Sequence, residues 1–151
     1  MARIAPELAL SEAEVDELMR RESRMRIATL GPGSQLHLTP MTFGWAGGKV
    51  YFFGRGQKIA NLRRTSTATV LVDVGSQWRE LRGVMMPGAA AVLEDVATEQ
   101  ADPHLVEAQI NLGEKHGLDG AYQASASGRS RRWVVFTPER LVSWDNAKLP
   151  R

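Results

Sequence analysis

Apolar positions along this chain change period several times, and each change marks an element. Val15, Leu18 and Met19 recur at helical spacing, and Ser11-Glu12-Ala13-Glu14 just ahead of them reads as a capping box, so a helix opens at Ser11. Met25 to Leu30 reads as a first strand and Gly31-Pro32-Gly33-Ser34 as a turn. Leu36 to Trp45 alternates like a second strand, with Pro40 arguing for an edge, a bulge or a kink. Ala46-Gly47-Gly48 is a tight turn into Lys49 to Phe53, an aromatic and β-branched strand.

The period then shifts. Ile59 and Leu62, three apart, place a short helix over Gln57 to Arg64, and Ala68 to Val74 returns to a strand. Glu80 to Glu94 is long for a strand, and Gly83, Pro87 and Gly88 predict bulges or a bend within it. A helix is expected from Pro103 to His116, with Pro103 as its first residue, Gly117 as its stop, and Leu105, Val106, Ile110 and Leu112 as its apolar residues. Ser125 to Ser130 is small and polar, and a mobile loop is expected there. Arg132 to Phe136 and Arg140 to Trp144 form a hairpin-like pair across Thr137-Pro138-Glu139. The order is helix, three strands, short helix, two strands, helix, two strands. Hairpin turns without βαβ alternation favour an antiparallel barrel over a parallel sheet. Neither a repeat nor a linker interrupts the chain, so residues 1–151 read as one domain.

Composition narrows the picture by exclusion. The 151 residues carry a net charge of +2, too little to argue for a general nucleic-acid binder. The basic residues do cluster: Arg20, Arg21, Arg24 and Arg26; Arg55, Lys58, Arg63 and Arg64; and Arg129, Arg131 and Arg132. The first and third clusters read as solvated faces. Without cysteine there is no disulfide, thiolate metal site or cysteine nucleophile. The first residues lack the apolar core of a signal peptide, and no apolar run approaches the roughly 18 residues of a membrane span, so a cytoplasmic location is expected. His37, His104 and His116 are scattered without metal-ligand spacing, and no Ser/His/Asp set or carboxylate pair supports hydrolysis.

Phe53-Gly54-Arg55-Gly56-Gln57-Lys58 is the most informative segment. A strand ends, two glycines turn the chain, and a helix begins beside Arg55 and Lys58. Free N–H groups, the positive end of the helix dipole and two cations together suit an anion, with phosphate the natural guest. A plain strand-to-helix turn with solvated charges fits the same residues.

Lys58-Ile59-Ala60-Asn61-Leu62-Arg63-Arg64, followed by the strand Thr69 to Asp73, resembles the K-x-x-N-L-x-R signature of the pyridoxamine-phosphate-oxidase-like flavoproteins, closest to the actinobacterial branch that uses the deazaflavin F-420. Leu38 to Phe43 resembles that family's second barrel strand, and Gly83 with Gly88 to Leu93 its long strand. The resemblance spans Met25 to Leu93 and weakens after Asp95. It implies a six- to seven-stranded antiparallel split β-barrel, the FMN-binding split-barrel fold, working as a homodimer with cofactor in clefts between the subunits. Lys58 matches the lysine set against the cofactor phosphate. Thr39, Met41 and Thr42 match positions that run along the ring system, and Asn61 matches the asparagine that braces the phosphate loop. Relatives often carry Ser, Thr or a differently placed Arg where this chain has Arg55-Gly56-Gln57, which leaves open what holds the phosphate besides Lys58.

Trp78 either covers a ring or fills the core, and Trp133 and Trp144 read as core or dimer contacts. The functional expectation is an oxidoreductase using F-420 for hydride transfer to a small organic acceptor, with Arg55, Arg63 and Arg64 receiving the cofactor's polyglutamate tail. An FMN-binding oxidase or reductase of the same fold is the alternative. A non-catalytic cofactor- or haem-binding module, with His37 as its haem ligand, is a third. The apolar, aromatic strand Val50 to Phe53 is expected to leave surface that a second copy covers.

Overall fold

A computed structural model describes residues 5–122 and 130–151. Helix α1 (Glu12–Arg21) starts as its sequence dictates: Glu14 N–H donates to Ser11 Oγ and Ser11 N–H to Glu14 Oε1, both at 3.1 Å, and Val15, Leu18 and Met19 form its buried face. Strands β1 (Arg24–Leu30), β2 (Leu36–Thr42), β3 (Gly44–Ala46) and β4 (Lys49–Gly54) follow, then α2 (Gln57–Arg64), β5 (Thr67–Val74) and β6 (Arg82–Leu93). Two helices, α3 (Val96–Ala101) and α4 (Leu105–Lys115), precede β7 (Arg132–Pro138) and β8 (Val142–Asp145). All strands join one antiparallel sheet in the order β2-β1-β5-β6-β7-β4-β3, with β8 also on β6. This is a split β-barrel with flanking helices.

The run expected as one strand from Leu36 to Trp45 is two. β2 pairs β1 at one edge of the sheet, whereas β3 pairs β4 at the other. Phe43, wholly buried, sits where the chain crosses between those edges and brings them together. Pro40 accordingly lies on an edge strand, where its missing N–H costs no ladder bond.

β6 carries no bulge against β5: the register runs unbroken from Thr67↔Ala89 to Val74↔Arg82. The irregularity is on the facing chain. β7 and β8 do not pair as a hairpin; they lie end to end along the same edge of β6. From Met85↔Val142 to Gly88↔Pro138, β6 advances three residues and its neighbour four. The extra residue falls opposite Pro87, which has no N–H to give that neighbour. Gly88 is required for close approach, because a Cβ there would collide with the Thr137 carbonyl.

The helix expected from Pro103 begins at Leu105, after His104 as N-cap, and α3 precedes it with Asp95 capping Thr98 N–H at 2.8 Å. Asp95 to Ala101 lacks an apolar period, so pattern reading passed over it. In α4 the buried face is Leu105, Ala108 and Leu112, while Val106 and Ile110 face outward. Gly117 does end the helix: its N–H bonds Glu114 O and Leu118 N–H bonds Gly113 O, a Schellman pair. The loop expected over 125–130 falls, but for Ser130, outside the described residues.

The main core joins Met25, Ile27, Phe52, Val70, Met86 and Phe136 inside the barrel, with α1 and α2 packed on it. A second cluster of Tyr51, Leu93, Leu105, Leu112 and Trp133 lies under α4. β4 is therefore covered on both faces: of the strand Val50 to Phe53 expected to leave surface for a second copy, Val50, Tyr51 and Phe52 are wholly buried within the chain and only Phe53 is partly open. Among the described residues no helix is long and apolar enough to cross a membrane.

Candidate functional site

The turn from β4 to α2 is set by Gly56, whose φ of 86° and ψ of −151° belong to a region essentially closed to other residues. From there the helix rises at once: Ile59 and Ala60 N–H both reach Gly56 O. The N–H groups of Gln57 and Lys58 have no acceptor among the described residues, as the first turn of a helix requires. Gly54 is bare for a reason. A Cβ there would stand 2.8 Å from Lys58 Cε and 3.4 Å from Met41 Cε, so both side chains converge on it. Met41, on the edge strand β2, is thereby brought beside the α2 turn.

Lys58 Nζ donates to Arg55 O at 2.8 Å, which folds the lysine back over the turn. Burial holds its ammonium below the usual range, and the charges of Arg131 and Arg55 push the same way. Among the described residues no carboxylate pairs with Arg55, Lys58 or Arg131. Arg55 and Arg131 thus lie near enough to Lys58 to act on its charge, beside the open start of α2. Arg131 was missed in the sequence because it sits in a basic run far along the chain, and only the pairing of Gly54 with Arg132 brings it here.

Asn61 is wholly buried. Its Oδ1 accepts from Gln57 Nε2 at 2.7 Å and Arg64 Nη2 at 3.0 Å, while its Nδ2 donates to Thr29 Oγ1 at 3.0 Å. It fastens the first turn of α2 to β1 from within. Arg64 also donates to Leu30 O at 2.8 Å, and Arg63 grips Glu94 with two bonds of 2.8 and 2.6 Å. Both arginines therefore have partners within the chain.

The remaining expected residues separate. By strand alternation Thr39 and Met41 share the core-facing side of β2 with His37, whereas Thr42 points to the opposite side with Leu36 and Leu38. Trp78 does not fill the core; it is 68% exposed on a turn beyond the far end of β5. The eight residues of β5 separate that turn from α2 by roughly 23 Å of strand, so Trp78 and Lys58 do not meet within one chain. Among the described residues no cluster of His, Cys, Asp and Glu suits a metal. An open groove between α1 and the β3–β4 turn, lined by Leu10, Asp16, Trp45, Lys49 and Leu141, contains none of the expected residues. What the α2 turn offers chemically is retention of an anion beside an unpaired strand edge. It presents no acid–base or nucleophilic set.

Residues 11–145 match the family described as Pyridoxamine 5'-phosphate oxidase. No curated protein matches the chain. Among solved structures, a conserved hypothetical protein of Mycobacterium tuberculosis is 25% identical, with a TM-score of 0.79 over 99% of this chain and 95% of that one. A FAD-binding protein of Mesorhizobium loti is 20% identical, with a TM-score of 0.67 over 89% of this chain and 94% of that one. A protein described as an F-420 reductase is 18% identical, with a TM-score of 0.62 over 88% of this chain and 98% of that one. The family match takes in both the α2 turn and the β2 edge beside it, and with the split barrel it establishes that the chain belongs to the pyridoxamine 5'-phosphate oxidase family.

Proposed function

We propose that the protein is an oxidoreductase that holds a phosphate-bearing flavin or deazaflavin at the Gly54 to Lys58 turn, F-420 ahead of FMN, and acts on a small organic substrate. The observation that carries this reading is the turn itself. Two N–H groups and the cations Arg55, Lys58 and Arg131, without acceptors or carboxylate partners among the described residues, together with a helix's positive end, suit a phosphate better than a neutral ligand. Once bound, such a cofactor supplies hydride transfer at its ring. The chain's part is to bind and orient. Lys58 and the Gln57 N–H hold the anion, Asn61 keeps the helix turn in place, and Thr39 and Met41 line the approach to the ring. Thr42, on the other side of β2, serves through its backbone at the strand edge. FMN uses the same turn and is the alternative.

The second subunit is part of this proposal. The face of the sheet opposite the core carries Leu36 and Leu38, 73% and 67% exposed, and farther along the same face Leu71, Met85 and Val142 stand in register with Arg26 and Pro40. A second copy covering that face closes a cofactor cleft, and Trp78 reaches a cofactor only as the partner subunit's residue.

Side-by-side titration of F-420 and FMN tests the site. Lys58→Ala is expected to weaken the bound cofactor tenfold to a hundredfold, the loss of about 1.5–3 kcal/mol of charge-assisted bonding. Stability of the free protein should change by less than about 0.5 kcal/mol. A variant that binds both cofactors like wild type overturns the assignment.

A further inference from the structure

The crossing from β2 to β3 is held by side chains rather than by the sheet. The ladder with β1 ends at Thr42 and the ladder with β4 begins at Gly44, so Phe43 lies between them without a strand partner. Helix α4 supplies the hold. Lys115 Nζ donates to Phe43 O at 3.0 Å, and its ammonium stands 3.5 Å from the centroid of the Phe43 ring. One turn back along α4, Asn111 Oδ1 accepts from Trp45 N–H at 2.9 Å, and a Cβ on Gly44 would collide with the Ala108 carbonyl. Two residues before Phe43, Met41 reaches Gly54 and Lys58 at the start of α2. The grip of α4 on the crossing therefore lies next in the chain to the end of β2 that meets the anion turn.

Of these contacts only the one from Lys115 carries a proton that can leave. At the end of α1, Glu22 favours its charge and Arg20 opposes it; along α4, Glu107 and Glu114 act on Arg20. The crossing itself presents the Phe43 carbonyl and ring. Burial pushes the amine down to about 7, so both of its forms are populated near neutral pH. A charged Lys115 makes a charge-assisted bond and a cation–π contact, whereas a neutral one keeps an ordinary N–H bond alone. The charge costs the free fold through desolvation, yet it tightens this one contact.

We infer that Lys115 is a positioning residue for the cofactor edge: its charge fixes the crossing at Phe43, and with it the Met41 end of β2 against the α2 turn, so that cofactor binds more tightly while Lys115 is charged. The inference rests on the function proposed above. Affinity is then greatest below the Lys115 transition and falls as pH rises through it. The coupling is reciprocal: bound cofactor strengthens the hold of Lys115 on its proton, and binding above neutral pH takes up protons. A residue that only supports the fold behaves differently, because affinity then follows stability.

The test compares wild type, Lys115→Met, Lys115→Arg and Glu22→Gln, each titrated with FMN and with F-420 between about pH 6 and pH 9. Lys58 and the ligand's own phosphate titrate in all four proteins and cancel from the ratios between them. At the acid end wild type should bind about fivefold more tightly than Lys115→Met, and at the alkaline end the two should agree. Lys115→Met should nevertheless melt at or above the wild-type temperature at the acid end, so that affinity and stability move in opposite directions. Lys115→Arg keeps its charge and should lose the step, staying tight throughout. Glu22→Gln lies outside the contact and should move the step to lower pH. Calorimetry in two buffers of different ionisation heat, near pH 8, should find more protons taken up on binding by wild type than by Lys115→Met. Equal pH profiles for wild type and Lys115→Met overturn this inference and spare the cleft, as does affinity that follows melting temperature across the set. A step that Glu22→Gln leaves in place overturns it as well. A wild-type protein that binds neither cofactor overturns the proposed site and this inference together.

Discussion

Lys115, in the last turn of α4, sets its ammonium 3.5 Å from the centroid of the Phe43 ring and donates to Phe43 O at 3.0 Å. It pins the crossing between β2 and β3. Burial pushes it down to about 7 from an ordinary 10.5, Glu22 pulls it back and Arg20 adds to the fall. The unfolded chain therefore keeps a proton between those values that the folded chain releases, and stability rises with pH across that window. Below pH 7 the full cost of the buried charge is present. Lys115→Met is expected to flatten the rise in melting temperature between pH 6.5 and pH 10, as calorimetry at the two ends would show; an unchanged slope excludes Lys115 as its source. The arginines make a second case. With Arg63 on Glu94 and Arg64 on Leu30 O and Asn61, the proposed F-420 reading would assign the cofactor tail to Arg55 and Arg131. Neutralising Arg55 and Arg131 should weaken F-420 more than FMN and lessen its salt dependence, since exposed ion pairs are screened within about 8–10 Å at ordinary ionic strength. Neutralising Arg63 and Arg64 should cost stability instead. Equal salt slopes for the two cofactors would remove the preference for F-420.

At the scale of elements, α2 depends on how the chain enters it. Gly56 provides a backbone conformation that no Cβ tolerates, and Asn61 ties the following turn to β1. Gly56→Ala forces either strain of about 1–3 kcal/mol or a rebuilt turn. Both outcomes disperse the N–H groups of Gln57 and Lys58, so denaturant titration should register a loss of stability and cofactor titration a loss of affinity together. Retained affinity in a destabilised variant would mean that the turn's N–H groups do not hold the ligand. The end of the chain is also fastened to an element's start. Lys148 bonds Glu14 at 2.7 Å, and that bond is the main cause that lowers the Glu14 carboxyl to about 2, followed by the Ser11 N–H. This contribution is present above the ordinary carboxylate range and is lost as pH falls toward 2.

At the scale of the whole molecule, the exposed row on β2 is the surface on which the proposed dimer would rest. Leu36 and Leu38 stand outside a core that is otherwise filled, on a face continuous with β1, β5, β6 and β8. Two large exposed apolar side chains on one sheet face suit an interface, and a second copy of the chain is the occupant proposed for it. Leu38→Asp should convert a dimer into monomer by light scattering at micromolar concentration and weaken cofactor binding in parallel. A wild-type protein that is monomeric there refutes the shared cleft. A variant that stays dimeric places the interface elsewhere.

Local chemistry made much of this protein legible in the sequence. The capping box at Ser11, the glycine stop at Gly117, the edge strand marked by Pro40 and the α2 turn all follow from residues within a few positions of one another, where backbone sterics and hydrogen bonding act directly. Tertiary structure alone decided what depends on distant partners. Trp78 lies outside while Trp133 lies inside because burial is settled by what packs from elsewhere in the chain. β7 and β8 share one edge of β6 instead of pairing with each other, since β6 is long enough to offer both an unpaired ladder. Arg63 and Arg64 turned to Glu94 and the Leu30 carbonyl because their charge and N–H groups find acceptors through space, whereas Arg131 comes near enough to Lys58 to repel its charge only because β7 pairs β4. A sequence motif records that a lysine follows a glycine turn; which other charges and faces surround that lysine is determined by how the sheet closes.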